Sequence, residues 1–207
     1  MTSDDLDRLA RNEKRIMDGQ NINRIRDIPS FCYTSLSELR EAKLSGKIKL
    51  TIGEGVMLQP DLFWAFATRG EIFAYIFWTA WPVIIGIAYI VTALISGKFL
   101  LLWGLVALGL GFFLSKPSTW GRVNPLVGIA GILCVILAFT NPVWAFIIAG
   151  IDAGYVFIAT ATLHTHMILM QRALASEVLF CYAYSNRIIL VFDQNGKEIN
   201  FAERIGQ

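Results

Sequence analysis

Apolar residues recur in four long runs, and polar, mixed stretches flank that block on both sides. The runs are Ile72–Ser96, Phe99–Ser115, Leu126–Thr140 and Val143–Leu163, of 25, 17, 15 and 21 residues. A helix rises about 1.5 Å per residue, so about 20 apolar residues cross the roughly 30 Å hydrocarbon core of a bilayer. The first and last runs meet that length. The third reaches 18 residues once Val123, Asn124 and Pro125 join it. Asn141-Pro142 divides the last two runs. One helix through that dipeptide would exceed roughly 50 Å, and the residue before a proline disfavours helix, so a tight helical hairpin is expected there. Pro82 should kink the first run or mark where its membrane segment begins. For 99–140, a re-entrant hairpin is the alternative to two full spans.

The flanks carry different signals. Residues 3–18 read as a polar helix capped by Ser3, with Asp4, Asp5 and Asp7 at its positive end. Asn21 to Ser30 reads as a connector. Ser35 and Glu38 form the Ser-x-x-Glu of a capping box, which predicts a short helix to about Leu44 that stops at Gly46. Lys47–Ile52 alternates polar and apolar, the pattern of a strand, and Gly53 and Gly55 break it. Pro60, Leu62, Phe63, Trp64 and Phe66, followed by Arg69 and Glu71, predict an interfacial helix over 60–71. A buried helix of a soluble subdomain is the competing reading. Beyond the last run, Met167–Ala175 continues the helix. Val178–Tyr184 and Arg187–Asp193 are rich in β-formers, and Asn195-Gly196 signals a hairpin leading to a third strand over Lys197–Phe201.

Composition sharpens this pattern. The 207 residues are 55% hydrophobic and 16% charged, against about 25% charged in soluble domains. Between Ile72 and Gln171 only Lys98, Lys116, Arg122 and Asp152 are charged. Such a chain is not an ordinary soluble domain, a disordered chain or a disulfide-stapled secreted one. The net charge of +2 comes from balanced flanks, so no nucleic-acid partner is expected. Cys32, Cys134 and Cys181 read as reduced thiols. The acidic opening predicts no cleavable signal peptide, and neither end carries a lipidation pattern. With four spans and both termini inside, every Lys and Arg except Lys98 falls on the cytoplasmic side, as the positive-inside rule asks.

The sequence therefore predicts an all-α integral membrane protein of the cytoplasmic (inner) membrane. Its four transmembrane helices, at about 72–96, 99–115, 123–140 and 143–166, run up and down with both termini cytoplasmic. Residues 1–59 form a cytoplasmic N-terminal arm with a short strand, 60–71 the interfacial helix, 72–171 the membrane domain and 172–207 a C-terminal β-hairpin tail. Arm and tail are expected to pack into one small cytoplasmic α+β unit.

Asp152 is the main chemical candidate. A carboxylate at mid-membrane costs about 2.5–3.5 kcal/mol on insertion scales and usually faces a bundle interior or water. Helical spacing puts Ile148, Tyr155, Val156, Ala159, Leu163 and His166 near its face, with Gly150 and Gly154 on the opposite one. The carboxyl serves ion or proton handling, a polar pin to a partner, or a neutral hydrogen-bonded acid. Gly150 and Gly154, with Gly104, Ala107 and Gly111 on the second run and Gly128 and Gly131 on the third, allow close helix packing within the chain or between chains. Trp78, Trp81, Trp103, Trp120, Trp144, Tyr75 and Tyr89 read as interfacial anchors and core fillers, with Trp120 and Arg122 near the headgroups. His164 and His166 are the only histidines. They read as boundary residues, with a pH-sensing or haem-ligand role as the alternative. On one helix they point apart, so they do not share a metal.

Phosphate-loop, nucleophile-elbow and zinc-protease motifs are missing. The expectation is a non-enzymatic subunit or assembly factor of a multi-protein membrane complex, without metal or cofactor. Its partners would be the lipid bilayer and other membrane subunits or copies of itself. The alternative is a small homo-oligomeric channel or transporter using Asp152.

Overall fold

The structure, a computed structural model, describes residues 3–29, 31–53, 63–64, 66–115 and 120–199, the side chains of 120–123 excepted. In chain order the elements are α1 (Ser3–Gly19), a 3-10 turn at Ile25–Asp27, α2 (Leu36–Leu44), β1 (Ile48–Ile52), α3 (Arg69–Ser96), a 3-10 turn at Phe99–Leu102, α4 (Trp103–Leu114), α5 (Trp120–Thr140), α6 (Pro142–Ala175), α7 (Glu177–Ser185) and β2 (Ile189–Asp193). The protein is mostly helical with one two-stranded sheet. It divides into two compact units, Met1–Ile72 with Thr165–Gln207, and Phe73–His164.

The first unit brings the two polar flanks together. Ser35 caps α2 by accepting the Glu38 N–H, while the Glu38 carboxylate accepts from both the backbone and the hydroxyl of Thr34. Those bonds hold the Glu38 carboxyl below the usual range. Gly46, at φ 71°, ends the helix in a Schellman turn, with Lys47 N–H bonded to the Ala42 carbonyl. The chain then enters β1, which pairs antiparallel with β2 so that Ile48 faces Asp193, Leu50 faces Val191 and Ile52 faces Ile189. Ile25, Leu39, Ile48, Phe180, Cys181, Ile189 and Val191 form the core of this unit. Phe180 stacks on Tyr184 at 9° and 6.0 Å between ring centres.

One expectation for this region needs correction. Val178–Tyr184 is not a strand: Glu177–Ser185 is helical. Ser176 caps it by accepting the Leu179 N–H, Glu177 suits its first turn, and Phe180, Cys181, Ala183 and Tyr184 fall on one buried helical face. Asn195-Gly196 turns the chain, with Gly196 at φ 75°, and among the described residues an antiparallel bridge, Phe192 with Glu198, follows; residues 200–201 of the expected third strand lie outside the described residues. The ladder partner of β2 is β1, far away in the sequence, with Ile48 opposite Asp193 and Ile52 opposite Ile189. The expected connector at 21–30 contains the 3-10 turn, whose Ile25 is fully buried.

Residues 60–62 and 65 of the expected interfacial helix lie outside the described residues. Of those described, Phe63, Phe66 and Ala67 are buried and Trp64 is exposed, while Arg69 to Glu71 already belong to α3. α3 opens with a capping box: Glu71 accepts the Thr68 N–H, and Thr68 Oγ accepts the Glu71 N–H. Glu71 also pairs with Arg172 of α6 at 3.3 Å.

The second unit is a set of helical segments around α6. α3 and α6 are 28 and 34 residues long and apolar enough to cross a membrane by length and composition; Phe99–Leu114 and Asn124–Thr140 are shorter apolar helices. α3 continues through Pro82. α5 ends at Thr140 and α6 begins at Pro142, with the Ala145 N–H bonded to the Asn141 carbonyl, so proline takes the first helical position where no N–H is needed.

Candidate functional site

Each neighbour meets α6 by a different kind of contact. Against α3, Trp78 and Trp81 pack on Phe157 at 5.7 and 5.8 Å, and Tyr89 meets Phe146 edge to face at 4.5 Å. The Tyr89 hydroxyl donates to the Phe146 carbonyl, and the side chain is 1% exposed.

Against α4, the contact runs through glycines. A methyl group on Gly104 would collide with the Tyr89 ring. One on Gly150 would lie 2.8 Å from the Gly104 carbonyl oxygen and 3.0 Å from the Tyr89 hydroxyl. One on Gly154 would strike the Leu108 carbonyl, and one on Gly111 the Ile151 carbonyl and, at 2.8 Å, the Tyr155 nitrogen. The structure thus brings Gly104, Gly111, Gly150 and Gly154 into one interface inside the chain. Backbones this close permit dispersion contact along both helices, and no side chain larger than hydrogen fits.

Against α5, the contact is polar. The Tyr155 hydroxyl donates to Asn124 Oδ1, Cys134 Sγ lies 3.1 Å from the Ala145 carbonyl, and Val127 packs on Tyr155 and Ala159. Asp152 faces the same helix: its Oδ2 would lie 3.3 Å from a methyl on Gly131. Its Oδ1 is buried and has no hydrogen-bond partner among the described residues. Asp152 and Tyr155 therefore share the α5 side of α6, but the phenol is spent on Asn124. Gly128 has open space around it.

The histidines contribute no assembled site. His164 is half-buried, and its Nε2 has no partner among the described residues; His166 is half-buried. Among the described residues, no three His, Cys, Asp or Glu side chains come together as a metal ion would require. Thr140 bonds back to its own helix at Ile136. The side chains of Trp120 and Arg122 lie outside the described ones.

Two residues with central places were not singled out as partners by the sequence. Tyr89 looks like one more interfacial aromatic, yet its ring occupies the slot that Gly104 and Gly150 leave. Asn124 sits beside Pro125 and looks like a loop residue, yet it holds the Tyr155 phenol. A bulky polar-tipped aromatic in an apolar run, set against glycine-rich neighbouring runs, is the signal that could have found Tyr89. No known family, curated protein or solved structure matches this chain.

Proposed function

We propose that this protein is a four-span integral membrane subunit or assembly factor of a multi-protein complex in the cytoplasmic membrane, with both flanks in the cytoplasm. The observation that carries the reading is how α6 uses its surfaces. Its glycine face is closed by α4, its aromatic face by α3, and its phenol by Asn124. That arrangement suits a rigid, sealed bundle. A conducting path needs several polar groups converging at one depth; Asp152 Oδ1 has no hydrogen-bond partner among the described residues, and the Tyr155 phenol is spent on Asn124.

The outer surface supports the membrane half of the proposal. Val83, Ile84, Ile87, Leu94 and Ile95 of α3 and Ile132, Val135, Ile136 and Phe139 of α5 are all exposed, a far larger apolar surface than soluble monomers carry. Lipid tails and partner helices are what such a surface accepts. Four short helices do not enclose a pore alone, so a channel reading requires copies arranged around Asp152.

Two substitutions separate these roles. Asp152→Asn keeps shape and hydrogen bonding and should leave assembly intact, whereas Asp152→Leu should weaken it. Equal loss of ion flux in both variants, with assembly unchanged, would replace the subunit reading by the channel.

A further inference from the structure

The break between α6 and α7 is marked in the local sequence only by the Ser176 cap and Glu177, and no helix breaker enforces it. Residues 165–185 contain neither glycine nor proline, and Met167 to Ala175 is made largely of strong helix formers. The backbone ladder runs on both sides of the joint, with Ser176 N–H bonded to the Arg172 carbonyl and Phe180 N–H to the Ser176 carbonyl. Only the bonds across the joint are diverted. In an unbroken helix the Leu174 carbonyl would accept from the Val178 N–H, and the Ala175 carbonyl from the Leu179 N–H. Here the Arg40 guanidinium takes the Leu174 carbonyl, through Nε at 2.7 Å and a second nitrogen, and Ser176 Oγ takes the Leu179 N–H at 3.3 Å.

The diverting groups come from the N-terminal arm. Arg40 lies on α2. Glu13 of α1 accepts from the Ser176 hydroxyl and so aims it. Gln20 donates to the Val178 carbonyl at 3.2 Å, and the Ile25 N–H donates to Glu177 Oε1 at 2.7 Å. Four separate places on the arm thus grip four residues of the joint, Leu174, Ser176, Glu177 and Val178. A cation on the last carbonyls of α6 is also the charge that end of a helix favours.

We propose that α6 and α7 are a two-state joint controlled by this arm. With the arm docked, the chain breaks at Ser176 and α7 packs Phe180 and Tyr184 into the core of the flank unit. With the arm released, the Leu174 carbonyl and the Leu179 N–H are free to rejoin the ladder, and α6 extends unbroken through Ser185. The arm acts as a strap whose release lengthens a helix.

The test measures the separation of spin labels at Gln171 and Ser185, both exposed, in the full-length chain with Cys32 replaced by Ser. An unbroken helix places those positions about 21 Å apart along its axis, and any break shortens that distance. The unaltered arm should give one short distance. The double variant Arg40→Ala, Glu13→Ala should add a second, longer peak, with slower amide exchange at Val178 and Leu179. Glu177→Pro, added to that pair, should abolish the longer peak. Proline fits the first position of α7 and forbids a continuous helix, and Ser176, at φ −129° and ψ 128°, already has the backbone that precedes proline. A single short distance in the double variant would overturn the proposal. So would a broad distribution that Glu177→Pro leaves unchanged, because that is local unfolding.

Discussion

The ring of Tyr89 fills the space that a side chain on Gly104 would need, and its hydroxyl is tied to the Phe146 carbonyl of α6. One residue of α3 thereby fixes the positions of α4 and α6 together. Small residues at 104 and 150 make the slot, and a large one at 89 fills it.

Gly104→Ala should therefore destabilise the bundle by about 1–3 kcal/mol, the usual range for overpacking. Gly154→Ala should do the same, because its neighbour is the Leu108 backbone and cannot rotate away. Gly109→Ala has open space and should be neutral or stabilising by up to about 1 kcal/mol through helix propensity. Thermal unfolding of the three detergent-solubilised variants checks this. A Gly104→Ala protein as stable as Gly109→Ala would contradict the packing.

Tyr89→Phe keeps the ring and loses one hydrogen bond, so about 0.5–1.5 kcal/mol should be lost. Tyr89→Ala empties the slot and should cost about 3–5 kcal/mol. Equal losses in the same unfolding assay would mean the hydroxyl, not the ring, holds the helices.

How far this was legible in the sequence differs from element to element. The glycine spacing on the second and fourth apolar runs was visible. What fills each gap was not, because Tyr89 lies 57 residues from Phe146 and no local pattern links them. Lys47–Ile52 announced a strand by alternation: Ile48 is buried with Leu50 and Ile52 packed on the same core, and Lys49 is exposed. The run Val178–Tyr184 misled because aromatic and β-branched residues favour strands on average. Its apolar positions 180, 181, 183 and 184 also fit one helical face, and the Ser176 cap and the flank core decided between the two. The capping box of Thr68 and Glu71 was readable from spacing alone, but an aromatic, charge-flanked segment drew the reading towards the interface instead. Asp152 stood out as a lone carboxyl. That Tyr155 would be occupied by Asn124 depended on a contact across the helical hairpin.

Alkaline pH should weaken the flank unit. Burial, with Glu177 and Asp27 nearby, pushes the Cys181 thiol from an ordinary 9.0 up to about 12. Burial likewise pushes the Tyr184 phenol from 10.0 up to about 12. The unfolded chain releases these protons first, so the stabilisation is complete below pH 9 and is lost as pH rises towards 12. The slope should be on the order of 1 kcal/mol per pH unit for each group. Denaturant unfolding from pH 8 to 11, with Tyr184→Phe and Cys181→Ala flattening the slope, tests it. An unchanged slope in both variants would assign the alkaline loss to other groups.

The central claim is membership of a membrane complex, and the mass and composition of the gently extracted native assembly test it most directly. The account predicts other polypeptides at fixed stoichiometry with this 23.1 kDa chain. An assembly that contains only multiples of this chain would contradict it and would favour the homo-oligomeric channel.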